Sequence, residues 1–301
     1  MFGPPEAAAI GISTPLRLAW PHVRDARLPG QQRDRRRAAR LARPPPARVR
    51  RHRCRLQHRL GIPDYRDRNG EWKRTPPITL QALTGSEAAY RRYWARSSAG
   101  WPRFAAAVPN PAHQALAELE RRGRIALLLT QNVDGLHQRA GSRRVVDLHG
   151  RLDDVVCLGC GTRRPRQAVQ DEIGRANPGW QAGPIRSAPD GDADIDAGAI
   201  ERFIAPRCAG CDGLLKPDVV FFGENVPRER VLHAQQALGE ADAMLVVGSS
   251  LMVWSGFRFA RAAAAAGLPI AILNAGRTRA DDLAALRVDA DIATSLQEVL
   301  R

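Results

Sequence analysis

The stretch Ile125–His137, IALLLTQNVDGLH, decides how the chain is read. Five consecutive apolar residues, Ile125 to Leu129, give way at Thr130 to Gln, Asn, Asp and Gly. An unbroken apolar run of this kind suits a strand buried on both faces of a parallel sheet, and its polar successors then lie at the strand's carboxyl end. Ligands of open α/β sheets bind outside those carboxyl ends, which makes Gln131, Asn132 and Asp134 candidates for cofactor contact. Asx-turn and helix-cap chemistry is the competing explanation for the same residues.

The pattern extends in both directions. AHQALAELERRGR (112–124) is an amphipathic helix with Leu116 and Leu119 on one face and a stop at Gly123. DAMLVVGSSL (242–251) is a strand running into Gly248, Ser249 and Ser250, followed by a helix from Phe257 to Ala266, and LPIAILNAG (268–276) is a strand ending in Asn274 and Gly276. Small residues after one strand are ordinary turn residues, so the weight lies in three such tips in one chain. Residues 78–107 carry helical patterning with Tyr90, Tyr93, Trp94, Trp101 and Phe104. Helix and strand alternate on both sides of an irregular stretch, 151–217, and this predicts a doubly wound α/β domain with a small second module. His149 and Gly150 follow the short apolar segment VVDLH at the entry to that stretch. A lone histidine is more often structural than catalytic, but the junction between two modules is where clefts form.

Four of the five cysteines form two pairs, Cys157-Leu-Gly-Cys160 and Cys208-Ala-Gly-Cys211. Each pair is a knuckle of two thiolates, and together they predict one tetrahedral zinc with no open coordination position, hence a structural metal. The 47 residues between the pairs require an excursion such as 171–205 to loop out. Unligated buried cysteines and a nucleic-acid-binding ribbon are the alternatives, and 151–217 lacks the basic residues a ribbon would need.

The net charge of +15 suggests an anionic partner, but its distribution does not. Fifteen of the 46 basic groups and only three of the 31 acids (Glu6, Asp25, Asp34) lie in residues 1–60, leaving 31 basic against 28 acidic groups in 61–301. Lys73 and Lys216 are the only lysines, an Arg skew typical of GC-rich coding sequence. Residues 1–60 alternate Ala, Arg and Pro without helix or strand period and read as disordered or not native. Their Arg content resembles a transit peptide, whereas their Pro clusters do not. No run of about 18 apolar residues occurs, so no membrane span is expected. The expectation is a soluble, cytoplasmic protein without a specific nucleic-acid partner.

Taken in order, GIPDYR, TQNVDGLH, the LHG histidine, the two cysteine pairs, KPDVVFFGE, GSSL and LNAG resemble the sirtuins, NAD-dependent protein deacylases, from Gly61 nearly to the C-terminus. RYWARSSAGWPRF, NPGW, APDGD and TRADDLA resemble the class II branch. The resemblance implies a Rossmann-type NAD-binding domain (61–150 and 216–301), a zinc module (151–215) and a helical segment, about 75–107, that belongs to the small module. It implies that NAD is consumed: the acyl-lysine carbonyl oxygen attacks the ribose carbon bearing nicotinamide, and an imidate intermediate follows. His149 would be the general base for a ribose hydroxyl. Asn132 and Asp134 would position the nicotinamide ribose and carboxamide, and Gln131 would hold a ribose hydroxyl. Ile62, Pro63, Asp64, Tyr65 and Arg66 would form a mobile cofactor loop. Gly248, Ser249, Ser250, Asn274 and Gly276 would line the adenosine and phosphate end. Val220, Phe221, Phe222, Gly223 and Glu224 would pair with the acylated substrate peptide as an added strand. Three alternatives are a Rossmann oxidoreductase, which leaves the zinc pairs and FFGE without a role, a protein mono-ADP-ribosyltransferase and a catalytically impaired relative. The acyl group is not legible from Tyr90, Arg91, Arg92, Tyr93 and Trp94.

One departure stands out. The family places a Gly-Ala-Gly phosphate loop ahead of GIPDYR, where glycines let backbone amides approach a pyrophosphate. Here His52–Leu60 reads HRCRLQHRL, with three arginines, two histidines and no glycine. Those nine residues can be encoded by CAC CGG TGC CGG CTG CAG CAC CGA CTC. Read from the second base and completed by the first G of Gly61, the same letters give Thr-Gly-Ala-Gly-Cys-Ser-Thr-Asp-Ser, the missing loop. The hypothesis is that residues before Gly61 are largely a shifted reading frame, restored by one extra G in a G run. Resequencing across the Leu60–Gly61 codons should reveal that base; a clean read in the present frame would overturn the idea.

Overall fold

Leu127, Leu128 and Leu129 are all buried because helices cover both faces of the strand they form. The computed structural model describes residues 9–13, 78–182, 186–187, 193–194 and 197–301. Its strands are β1 (Ala9–Ser13), β2 (Leu127–Thr130), β3 (Val145–Asp147), β4 (Gly150–Cys157), β5 (Arg163–Pro165), β6 (Arg186–Ser187), β7 (Ala193–Asp194), β8 (Leu215–Val219), β9 (Ala243–Val247), β10 (Ile270–Leu273) and β11 (Leu286–Val288). Its α-helices are α1 (Leu80–Thr84), α2 (Glu87–Ala105), α3 (Pro111–Arg121), α4 (Leu136–Arg139), α5 (Arg166–Ala176), α6 (Ala197–Glu201), α7 (Arg228–Gly239), α8 (Trp254–Ala265) and α9 (Ile292–Leu300).

The main sheet has the order β11-β10-β9-β1-β2-β3. Side chains alternate between its faces, as the two-residue strand period requires. Leu127 and Leu129 join Val246, Ile270 and Ile272 against Phe259, Ala260 and Leu238 of α8 and α7. Leu128 joins Val247 and Leu273 against Leu116 and Leu119 of α3 and Ile292 and Leu296 of α9. Asn110 caps α3 by accepting from the amides of Ala112 and His113 at 3.0 and 3.1 Å, and Gly123 ends that turn in the left-handed region at φ 72°.

The pairs β2–β3, β9–β10 and β10–β11 are parallel, as expected for a doubly wound sheet. The exception is β1, which runs antiparallel to both β2 and β9 and aligns Ala9 with both Thr130 and Val247. This also amends the reading of residues 1–60, in which no strand period was legible. The reason is backbone satisfaction. Facing β2 and β9 leave two rows of amide and carbonyl groups that need partners, and AIGIS supplies a strand-compatible segment of the opposite polarity.

The chain leaves the sheet at Gly150 to form a smaller antiparallel sheet, β5-β4-β8. Helix α2 packs on it: the Tyr90 hydroxyl donates to the Pro206 carbonyl at 2.7 Å and accepts from the Leu215 amide at 2.9 Å, while Trp94 Nε1 donates to the Leu215 carbonyl at 3.1 Å. Arg166 of α5 is buried between the rings of Trp94 and Trp101, 5.1 and 4.8 Å from their centroids. The excursion between the cysteine pairs is therefore built largely around α5 and α6.

His113 of α3 and His137 of α4 lie buried with ring centroids 4.7 Å apart. Burial pushes their pKa values down, to about 4 for His113 and about 3 for His137, the neighbouring imidazole adding to the effect on His137. A depressed histidine makes the unfolded chain the better proton acceptor, so its stabilising contribution is lost as pH falls below the unfolded pKa of about 6.5. In a His137→Leu variant the slope of unfolding free energy between pH 6 and 4.5 should fall by about 1.4 kcal/mol per pH unit, measured by urea denaturation.

Candidate active site

Two loops leave the sheet side by side, one after β2 and one after β9. This is the switch point where strand order diverges, the usual place for a ligand in such sheets. Ser249 Oγ spans the gap and donates to Gln131 Oε1 at 3.4 Å. From the first loop, the Asn132 amide donates to Thr130 Oγ1 at 3.1 Å, and the Leu136 amide donates to Asp134 Oδ1 at 2.9 Å, which starts α4. Turn and cap chemistry is thus present here alongside any ligand role. Gln131, Asn132 and Asp134 are all buried. Burial raises the Asp134 carboxyl to about 6, offset in part by its hydrogen bond from Leu136.

His149 meets this loop from the next strand. The Leu148 amide donates to the Thr130 carbonyl at 2.8 Å and the Val220 amide to the His149 carbonyl at 2.8 Å, so backbone bonds hold the histidine on both sides. Its Nδ1 lies 3.2 Å from the Gln131 carbonyl oxygen, and its Nε2 lies 2.8 Å from Ser255 Oγ. A carbonyl only accepts, so Nδ1 carries the proton and Nε2 keeps its lone pair. Burial pushes the imidazole down to about 4, reinforced by Arg230 and Arg258, so it is neutral at pH 7. Gly150 follows with φ 80°, and a Cβ there would stand 2.1 Å from the Asp218 carbonyl oxygen; only glycine lets β4 pair with β8 this closely.

Val220 to Glu224 run beside His149. Lys216 Nζ, buried, donates to the Val219 carbonyl at 2.7 Å and to both Glu224 carboxylate oxygens at 2.9 and 2.6 Å, and Glu224 Oε2 accepts from the Phe221 amide at 2.7 Å. The Phe222 carbonyl accepts from the Leu80 amide at 3.0 Å, and Gly223 turns at φ 86°. This segment is therefore rigidly shaped rather than a loose edge. Asn274 and Gly276 follow β10, the neighbour of β9; Asn274 Nδ2 donates to the Gly276 carbonyl at 3.2 Å. Gly248 donates its amide to the Leu273 carbonyl at 2.9 Å, and the Ser250 carbonyl accepts from the Arg279 amide at 2.8 Å. Ile62, Pro63, Asp64, Tyr65 and Arg66 lie outside the described residues.

Two residues of this constellation escaped the sequence reading. Ser255 sits inside a helical pattern and gives no signal until the fold brings it to His149. Lys216 did leave one, being one of two lysines in an arginine-dominated chain.

The four sulfur atoms of Cys157, Cys160, Cys208 and Cys211 lie within 4.8 Å of one another, with Cys157–Cys211 at 3.5 Å and Cys160–Cys208 at 3.7 Å. Zinc–sulfur bonds of about 2.3 Å in a tetrahedron put sulfurs about 3.8 Å apart, so the set fits the metal. The Cys160 and Gly159 amides donate to Cys157 Sγ and lower its pKa, favouring the thiolate. For the dinucleotide, Asn132 Oδ1 is a buried acceptor with no hydrogen-bond partner among the described residues, which fits a bound amide or hydroxyl donor. No helix among the described residues is long and apolar enough to cross a membrane.

Metal content offers a direct check. The chain should hold about one zinc, by inductively coupled plasma mass spectrometry, and Cys208→Ser should lose most of it together with a lowered thermal midpoint.

Comparisons with known proteins agree with this geometry. The Sir2 family profile matches residues 57–255. An NAD-dependent protein deacetylase of Xanthomonas campestris pv. campestris (strain 8004) is 62% identical over 236 residues, 78% of this chain and 80% of that one. The NAD-dependent protein deacetylase 2 of Bradyrhizobium diazoefficiens is 61% identical over 229 residues, covering 76% and 84%. The NAD-dependent protein deacylase SRT2 of Arabidopsis thaliana is 48% identical over 257 residues, covering 80% and 69%. A solved complex of Sir2 with a p53 peptide and NAD+ superposes with a TM-score of 0.62 at 28% identity, over 81% of this chain and 88% of that one. A structure of Sir2Tm bound to a propionylated peptide gives the same TM-score, identity and coverage. The chain belongs to the Sir2 family.

Proposed function

We propose that this chain is an NAD-dependent protein-lysine deacylase that moves an acyl group from lysine to the ADP-ribose portion of NAD and releases nicotinamide. The observation that carries the reading is His149, a neutral imidazole fixed at the sheet's switch point with its Nε2 lone pair directed to an O–H group.

When bound, NAD would supply the ribose carbon that is the electrophile. The chain's residues do the rest. His149 Nε2 receives a hydroxyl proton, and the Gln131 carbonyl holds the opposite ring nitrogen protonated so that the tautomer cannot invert. Asn132 Oδ1 accepts from the nicotinamide end. Asp134 is held nearby in a buried pocket that raises its carboxyl to about 6. Gly248, Ser249, Ser250, Asn274 and Gly276 serve the adenosine and phosphate end, and Ile62 to Arg66 are assigned to the cofactor as well. Val220 to Glu224, shaped by Lys216, take the acyl-lysine peptide. The zinc is structural. A cytoplasmic location and class II membership belong to the same reading.

A chain with weak NAD affinity is the second reading, favoured by the absence of glycine in His52–Leu60 and by the antiparallel strand at the switch point.

Nicotinamide release should require an acylated peptide. Release without one, with label transferred to protein, would indicate ADP-ribosyl transfer instead. By isothermal titration the chain as written should bind NAD at least about tenfold more weakly than a version with the glycine loop restored; equal affinities would remove the second reading.

A further inference from the structure

We infer that Ser255 is a positioning residue for the general base, holding the His149 ring so that Nε2 faces the reacting hydroxyl and keeping that nitrogen's lone pair occupied until substrate arrives. The inference rests on the reading of His149 as the base. Four observations support it.

The first is the contact. Ser255 Oγ lies 2.8 Å from His149 Nε2. Because the Gln131 carbonyl requires a proton on Nδ1, Nε2 must accept, and the serine hydroxyl must donate. The second is that the imidazole is gripped at both nitrogens from two different elements, the loop after β2 and the first turn of α8, which leaves the ring little freedom to rotate.

The third is the packing that aims the serine. Ser255 is the second residue of α8 and is 9% exposed. The next residue, Gly256, lies so close to Gln131 that a Cβ on it would stand 2.6 Å from Gln131 Oε1. A larger residue there would displace the Gln131 side-chain amide, the group that Ser249 also contacts. The Ser-Gly pair therefore works as a unit: the glycine permits the approach and the serine uses it. Gln131 is touched from the same side by Ser249, so helix α8 and the loop before it close on both the base and its orienting residue.

The fourth is stoichiometric. An imidazole nitrogen of this kind has one lone pair, and it is engaged. A ribose hydroxyl reaches Nε2 by replacing the serine hydroxyl. In that exchange one O–H···N hydrogen bond breaks and another forms, and no proton passes to the serine. Before substrate binds, the same bond excludes water from the base.

The test has two arms. In the full-length chain without NAD, the His149 side-chain nitrogen resonances are assigned by comparison with His149→Gln. Ser255→Ala should move the Nε2 resonance downfield, toward a free pyridine-type nitrogen, while Nδ1 remains protonated; Ser255→Thr should restore the original position. An Nε2 resonance unmoved by Ser255→Ala overturns the inference, and this arm needs no catalysis. In the second arm, acyl-peptide-dependent nicotinamide release should lose about five- to tenfold in kcat in Ser255→Ala, with KM for NAD within about twofold and recovery in Ser255→Thr. A pure rise in KM, or a loss that threonine does not repair at unchanged thermal midpoint, would also overturn it. If the unaltered chain releases no nicotinamide, the deacylase reading fails, while the resonance arm still decides the role of Ser255.

Discussion

The site depends on the close pairing at Gly150. Strand β4 begins beside β8 so closely that a Cβ at this position would stand 2.1 Å from the Asp218 carbonyl oxygen. That approach lets the residue before it, His149, belong to two sheets at once: its preceding amide is tied to β2 and its own carbonyl to Val220. The other end of the same strand pair is where the cysteines converge, with Cys157 aligned to Leu215. An eight-residue strand spans about 25 Å, so the cysteine cluster and His149 lie at opposite ends of one strand. The cysteine cluster at one end and the close approach at Gly150 at the other thus tie β4 to β8 along its length.

Burial, more than neighbouring charge, sets the titration of His149 and Asp134. Burial leaves His149 neutral and raises Asp134 to about 6, so both groups are biased toward their uncharged forms. An imidazole driven so low is a poor proton acceptor in bulk terms. What the structure fixes is its setting: one tautomer and one lone pair facing Ser255. Position compensates for basicity when the proton donor is delivered to a prepared nitrogen. The clamp of Lys216 on Glu224 and the Val219 carbonyl does the same for residues 219–224, trading the mobility of an edge for a single shape.

Much of this was legible from residues alone. Three apolar runs with polar or small-residue tips mark β2, β9 and β10, because a strand buried on both faces has to be continuously apolar. The cysteine pairs announce their convergence by spacing. Other features were not legible, for identifiable reasons. Ser255 looks like any serine near a helix start, since its meaning comes from a strand more than a hundred residues earlier. Lys216 was visible as an oddity of composition, but its partner eight residues on is reached only through a turn at Gly223. The polarity of β1 could not be read at all. A strand's direction is decided by which neighbours need partners, and AIGIS satisfies hydrogen bonds running either way.

That indifference has a consequence for assembly. The centre of the main sheet is a seat flanked by two complete half-sheets, β9-β10-β11 and β2-β3, each presenting a full row of backbone donors and acceptors to whatever lies between. Were the seat vacated, both halves would become open edges in the same molecule, and a strand from a second molecule would fit as readily as one from the same chain. The local sequence at the chain's beginning thus bears on whether such molecules stay separate in concentrated solution, a colloidal property set by backbone polarity and independent of the chemistry at His149.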